Sequence, residues 1–331
     1  MTNPSPAMQD SAILGFVGRE QIQFALTGQD GELRVATIRS YDANITTGVA
    51  GALSRFQQEL AITAFPVRAS IAVSGLVRGD VIAITRTRWF LSRSGLEAML
   101  GEKPLILNDF AAEAWALNNA DVRIPEMLGG ETTLTLQKPG TYLVLGVTSG
   151  LGVALVNRSE AGVVTVLPTE AGHGIFGGAT PELTQMAAEL ASHGSPALAE
   201  DLVSGPGLLA IYNLLAKRSK TVAQARTPGA IAGLIDIDPL AREACDMFSR
   251  AFWSHAGSLV LTYGAWDGVI VTGSLLGVLR PILRLPEVQA SFLAVIPYRR
   301  YLNLVPRGYV SLVNGELLGA AEALRHRAPR L

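Results

Sequence analysis

Asn108 and Asp109 stand where the apolar stretch Leu105-Ile106-Leu107 gives way to FAAEAWALNN over Phe110 to Asn119, a change from strand-like to helix-like spacing. In α/β proteins the carboxyl end of a strand is where ligand-handling side chains are placed. A carboxylate there has two readings. It caps the helix that follows, a role worth about 1 kcal/mol for Asp or Asn, or it accepts a proton from a ligand hydroxyl. Two further stretches favour the second reading for Asp109: Thr169-Glu170-Ala171-Gly172-His173-Gly174, and Glu200 just ahead of Leu202-Val203-Ser204-Gly205-Pro206-Gly207. A carboxylate with two Glu and a His supplies the donors and acceptors that a sugar's hydroxyls require. Taken singly, His173 reads equally well as a loop histidine and Glu200 as a surface charge.

The elements that must position these residues show a repeat. Ile13 to Gly18, Ile22 to Leu26 and Leu33 to Ile38 read as a strand, a strand and a strand with glycine-bearing turns between them, and Tyr142 to Val147, Leu151 to Val156 and Val163 to Leu167 follow the same grammar. After each meander, strands alternate with helices. Ser70–Val73, Val81–Ile84, Leu105–Leu107, Val269–Thr272 and Tyr309–Val313 are predicted strands, and 110–119, 182–191, 208–217, 239–263 and 316–325 predicted helices. The fold class is α/β, a duplicated arrangement on mainly parallel sheets, with two lobes around a cleft of the kind small ligands occupy.

Composition narrows the function. Among 331 residues, 27 Lys and Arg balance 28 Asp and Glu for a net charge of -1, and no run of like charges marks a nucleic-acid partner. Neither Tyr142 to Val156 nor Leu259 to Leu285 is an unbroken apolar run of the roughly 20 residues a spanning helix needs, so no membrane partner is expected. The single Cys245 makes neither an internal disulfide nor a thiolate metal site, which suits a cytoplasmic protein. Residues 1–11 lack the basic start and apolar stretch of a signal peptide and read as a disordered tail. His193 and His255 have no metal-spaced neighbours, and Trp89, Trp115, Trp253 and Trp266 read as core or lobe-interface residues.

Leu107-Asn108-Asp109-Phe110, Glu170-Ala171-Gly172-His173 and Ser204-Gly205-Pro206-Gly207-Leu208, in that order and spacing, resemble the bacterial glucokinase family over Ile13 to Leu324. The resemblance implies an actin-like fold of two lobes closing over glucose and Mg-ATP. It implies a small lobe of residues 12–109 with 315–331, a large lobe of 110–314, and a homodimer. It puts Asp109 in the place of the catalytic base for the sugar's 6-hydroxyl and Asn108, Glu170, His173 and Glu200 in the places of the sugar ligands. It assigns the nucleotide to Gly18, Thr148, Ser149, Gly150, Gly152 and Gly273, and no protein metal site.

The chain departs from the family's motifs on the nucleotide side. Gly146-Val147-Thr148-Ser149-Gly150-Leu151-Gly152 answers to Gly-x-Gly-Thr-Gly-Leu-Gly, so Thr148 adds a side chain where backbone approaches phosphate. The first loop, Asp-x-Gly-Gly-Thr-Asn in the family, reads Phe16-Val17-Gly18-Arg19-Glu20-Gln21: an acidic group is lost from the magnesium region, Arg19 restricts a tight hairpin, and Glu20 repels phosphate. Glu316 stands where a Gly is usual before the closing helix, and on the sugar-side wall Thr85-Arg86-Thr87-Arg88-Trp89 stands where Thr-Asn before the Trp is common and Ser74-Gly75-Leu76 where a Gly-Pro is common. An arginine at 86 suits an anionic ligand. Two readings follow: an ATP-dependent hexose kinase, or a sugar-binding or regulatory relative that kept the sugar residues after its first phosphate loop was rewritten.

Overall fold

A computed structural model describes residues 11–44, 48–122, 126–191 and 194–327. The tail read at 1–11 falls, apart from Ser11, outside these residues, as does His193. In chain order the elements are β1 (Ile13–Val17), β2 (Gln21–Leu26), β3 (Arg39–Asp42), α1 (Val49–Glu59), β4 (Ala69–Val73), β5 (Val81–Ala83), β6 (Phe90–Ser92), α2 (Arg93–Leu100), β7 (Leu105–Asn108) and α3 (Asp109–Ala116). They continue as β8 (Glu126–Gly129), β9 (Gly140–Val147), β10 (Leu151–Arg158), β11 (Val164–Thr169), α4 (Pro181–Leu190), α5 (Ala199–Leu202), α6 (Gly205–Arg218), α7 (Pro228–Gly233) and α8 (Pro239–Tyr263). Last come β12 (Gly268–Thr272), α9 (Ser274–Leu283), α10 (Pro286–Gln289), α11 (Arg299–Leu304), β13 (Arg307–Tyr309) and α12 (Gly315–Arg327). No helix among the described residues is long and apolar enough to cross a membrane.

The chain divides into two compact units, Met1–Val122 with Leu312–Leu331, and Arg123–Ser311. The sequence reading set the joins at 109/110 and 314/315. Helix α3 instead packs with α12 in the first unit.

The first unit's sheet has the order β3-β2-β1-β4-β7, and the second unit's runs β11-β10-β9-β12-β13-β8. The first five strands of each sheet repeat one topology, an antiparallel meander followed by parallel strands, so the duplication read in the sequence is present. The sheets are mixed and not mainly parallel, because each meander is antiparallel. β1, β4 and β7 run parallel with Val17 opposite Val73 and Val73 opposite Asn108. β1 and β4 are buried along their whole length, which is why they read as continuous apolar runs with no alternation.

Two predicted strands fall elsewhere. Leu33–Ile38 is a loop with a short 3-10 turn, and β3 follows it. There the Thr37 hydroxyl donates to the Arg34 carbonyl at 2.6 Å and accepts the Leu26 amide at 2.9 Å, so a side chain replaces the ladder partner. The last strand ends at Tyr309. Val313 is largely exposed, and the chain has passed into the first unit by Leu312.

The register of α12 on α3 matters for the site. Gly319 lies so close to α3 that a Cβ there would overlap the Ala112 carbonyl and stand 3.0 Å from the Ala116 amide nitrogen, and a Cβ on Gly315 would stand 3.3 Å from Glu113 Cγ. Further along, buried Glu322 accepts from Asn119 Nδ2 at 2.8 Å and pairs with Arg325 at 3.1 Å. Contacts that advance together in number on both helices mean that α3 and α12 run side by side in the same direction.

In the second unit, α8 has the span its pattern predicts. Asp238 caps its start, accepting the Leu240 amide at 2.9 Å, and Gly264 closes it with a left-handed φ of 66°. Its Trp253 is wholly buried, and Trp115 is buried in the first unit. Trp266 is 38% exposed, so of the two places read for it, core or lobe interface, it does not take the first.

Candidate active site

Asn108 ends β7, and its Oδ1 accepts the amides of Phe110 at 3.0 Å and Ala111 at 3.1 Å. The helix cap is therefore Asn108. Its Nδ2 faces the Gly75 carbonyl at 3.4 Å.

That assignment leaves Asp109 for other work. Its Oδ2 accepts the Ser74 hydroxyl at 2.6 Å and its Oδ1 the Phe110 amide at 2.8 Å. Burial raises the Asp109 carboxyl above the ordinary carboxylate range, and the Ser74 and backbone hydrogen bonds pull the other way without cancelling it. A half-buried carboxylate with two fixed donors and an elevated proton affinity has the seating that a general base requires.

Ser74 follows the end of β4. Its amide donates to the Val17 carbonyl at 3.0 Å, and its carbonyl accepts the Thr85 amide at 2.8 Å. Its role was not legible in sequence as a partner of Asp109, since 35 positions separate the two; the parallel register of Val73 on Asn108 brings them together. Replacing Ser74 with Ala removes a donor that favours the charged form. The Asp109 carboxyl then rises further, and the acid limb of the kcat/KM profile for the reaction proposed below moves to higher pH. The accompanying stability loss is about 1 kcal/mol, read by thermal denaturation.

In the second unit Glu170 precedes a 3-10 turn, Ala171–His173. His173 Nδ1 stands 3.5 Å from Glu170 Oε2 and its Nε2 3.4 Å from Glu200 Oε1, so the ring lies between two carboxylates. The Glu200 carboxylate also borders the β9–β10 turn, 2.9 Å from where a Cβ on Gly150 would stand. Buried His255 on α8 hydrogen-bonds the Ala171 backbone, while its Nε2 has no hydrogen-bond partner among the described residues; burial pulls the ring down to about 4, so it stays neutral at ordinary pH. Through that hydrogen bond it supports this turn.

The nucleotide-assigned residues fall in separate places. Thr148 to Gly152 form the β9–β10 hairpin, with Gly146 opposite Gly152 and the Thr148 carbonyl accepting the Gly205 amide at 3.0 Å. Gly273 is adjacent. It has a φ of 98°, and a Cβ on it would stand 2.5 Å from the Val147 carbonyl oxygen, so only glycine fits. Helix α9 starts at the next residue without a side-chain cap, leaving first-turn amides for an anion. These second-unit residues fit a nucleotide's phosphates.

Gly18 belongs to the first unit, and its loop does not offer the same. Its amide donates to the Gln21 carbonyl at 2.9 Å, closing the hairpin on itself. Arg19 and Glu20 pair with each other at 3.4 Å at the exposed tip. Neither has a positive φ, so Arg19 is accommodated in this hairpin without a left-handed residue. The Phe16 ring lies over Gly18, within 2.6 Å of a Cβ built there. No group of three or more His, Cys, Asp or Glu among the described residues is placed to hold a metal ion, and Phe16 brings no carboxylate to this hairpin. Arg86 is exposed and takes a left-handed φ of 60°.

The repeated sheet topology is that of the actin-like sugar kinases. A glucokinase from an Antarctic psychrotroph matches with a TM-score of 0.78 at 23% identity, covering 96% of this chain and 99% of that one. The glucokinase of Balamuthia mandrillaris, solved in complex with glucose, matches with a TM-score of 0.78 at 20% identity, covering 96% and 94%. The family model for glucokinase matches residues 13–327, and the chain belongs to that family. A glucokinase of Stenotrophomonas maltophilia is 34% identical over 277 residues, 81% of each chain.

Proposed function

We propose that this chain is an ATP-dependent hexose kinase that transfers the γ-phosphoryl group to the 6-hydroxyl of glucose or a close relative. The observation that carries the reading is the seating of Asp109, with one donor on each carboxylate oxygen and burial raising its proton affinity. Each oxygen keeps a lone pair. Asp109 takes the 6-hydroxyl proton as that oxygen attacks phosphorus, and the Ser74 hydroxyl and Phe110 amide hold the carboxylate in line. By the family resemblance, Asn108, Glu170, His173 and Glu200 are the residues proposed to bind the remaining hydroxyls. Thr148, Ser149, Gly150, Gly152 and Gly273 take the nucleotide, which supplies the phosphoryl group and brings its own magnesium.

A second reading, a sugar-binding or regulatory protein without turnover, is favoured by one observation: the Phe16–Gln21 hairpin is closed on itself and carries an Arg19–Glu20 pair. The readings separate on ADP release from saturating Mg-ATP across a panel of hexoses, with glucose binding followed by calorimetry on the same protein. Sugar-dependent turnover is the expected result. Glucose binding without turnover on any hexose would overturn the kinase reading in favour of the second.

A further inference from the structure

Glu316 lies in the first turn of α12, and Asp109 in the first turn of α3. The two helices run in the same direction and touch where Gly319 abuts Ala112. Side chains three residues apart lie one above the other on a helix. One step back from Gly319 is Glu316, and the same step back from the Ala112–Ala116 turn it abuts is the Asp109–Glu113 turn, so the packing sets Glu316 against the turn that carries Asp109, whose charge acts on it. A longer residue than glycine at 319 would drive the helices apart and separate the two carboxyls.

We infer that Glu316 and Asp109 form a carboxyl pair carrying one negative charge, in which Glu316 keeps its proton while Asp109 is ionised, and that Glu316 is thereby a positioning residue for the base. Asp109 is the partner that ionises first because the Ser74 hydroxyl and the Phe110 amide both stabilise its charged form. Among the described residues, the donor that lowers Glu316 is its own backbone amide. Burial raises its carboxyl first, and the Asp109 charge raises it further, with no cation contributing. On the facing helix, α3 carries the acids Asp109 and Glu113, with Glu113 Cγ 3.3 Å from a Cβ built on Gly315. Strands β1 and β4, on which α12 packs, contain no titratable residue. On α12 itself Glu322 is occupied by Arg325. Interacting carboxyls titrate as a pair, each making the other's second ionisation harder.

The catalytic consequence rests on the reading of Asp109 as the base, but the pair is testable without turnover. A carboxyl raised in the folded state contributes stability that is intact below the unfolded value, about 4.3 for Glu, and is lost as pH rises through the folded one. Glu316→Gln removes that loss. Thermal denaturation of the wild type, Glu316→Gln, Asp109→Asn and the double variant at acid and slightly alkaline pH closes a double-mutant cycle. Glu316→Gln is expected to gain in Tm over the wild type as pH rises, to show no pH-dependent gain at acid pH, and to gain less in the Asp109→Asn background. A difference independent of pH, or the same gain with and without Asp109, would overturn the inference. Where the kinase assay shows turnover, Glu316→Lys places a cation beside the base and shifts the acid limb of kcat/KM to lower pH. An unmoved limb in folded protein counts against the pair.

Discussion

Asp109→Asn is expected to lower kcat for hexose phosphorylation by about 10²–10⁴-fold, the range attributed to a positioned general base, while leaving the protein at least as stable as the wild type at neutral pH. The two effects have opposite signs for one reason. Asparagine preserves the shape: its Oδ1 accepts the Phe110 amide and its Nδ2 donates to Ser74, whose hydroxyl turns round to accept. The base is gone, yet so is a carboxyl whose ionisation the fold disfavours. Because burial raises Asp109 in the folded state, the stability associated with it is present below the ordinary carboxylate range and lost as pH rises through the elevated folded value. Asparagine never ionises and avoids that loss. Turnover and thermal melts on the same preparations check both halves. Undiminished kcat in a folded variant would remove Asp109 from the base's role, and a large drop in Tm at neutral pH would mean that the carboxylate had been holding structure together.

How much of this was legible in the sequence depends on range. Elements set by local pattern were readable: the α8 span, and the β9–β10–β11 meander from its β-branched content and turn residues. The duplication was readable too, because it is a statement about two local patterns. What failed was local competition. Leu33 to Ile38 has the composition of a strand, but Thr37 satisfies the backbone with its own hydroxyl, a choice composition does not record. At the site, the residue types flagged Asn108 and Asp109 together without saying which caps the helix; only the hydrogen bonds to Asn108 Oδ1 divide the roles. Ser74 and Glu316 become neighbours of Asp109 through strand register and helix packing, at separations along the chain that no motif spans. By position alone Glu316 is a first-turn acid of the kind the helix dipole favours. Its meaning changes once α3 supplies a second carboxylate beside it.

That packing can be challenged at its tightest point. Gly319→Ala is expected to destabilise the protein by about 3 kcal/mol, at the upper end of what overpacking costs, with a fall in Tm of several degrees. Two effects oppose each other at this position. Alanine is favoured over glycine inside a helix by about 1 kcal/mol, so with open space around it the substitution would stabilise. Here the new methyl overlaps the Ala112 carbonyl and presses on the Ala116 amide, which are backbone atoms of α3 and cannot swing aside as a flexible side chain would. The clash therefore outweighs the propensity. Gly229→Ala is the control: it lies in α7, a Cβ there meets nothing within 4 Å, and the propensity gain should appear uncompensated as an unchanged or higher Tm. The consequence for the site follows from the same contact. Separating α12 from α3 moves Glu316 off Asp109, so Gly319→Ala should also weaken the pH-dependent gain in Tm that Glu316→Gln brings. A Gly319→Ala protein as stable as the wild type, with that gain intact, would show that the helices yield at this contact without loss and that the carboxyls are not held by it.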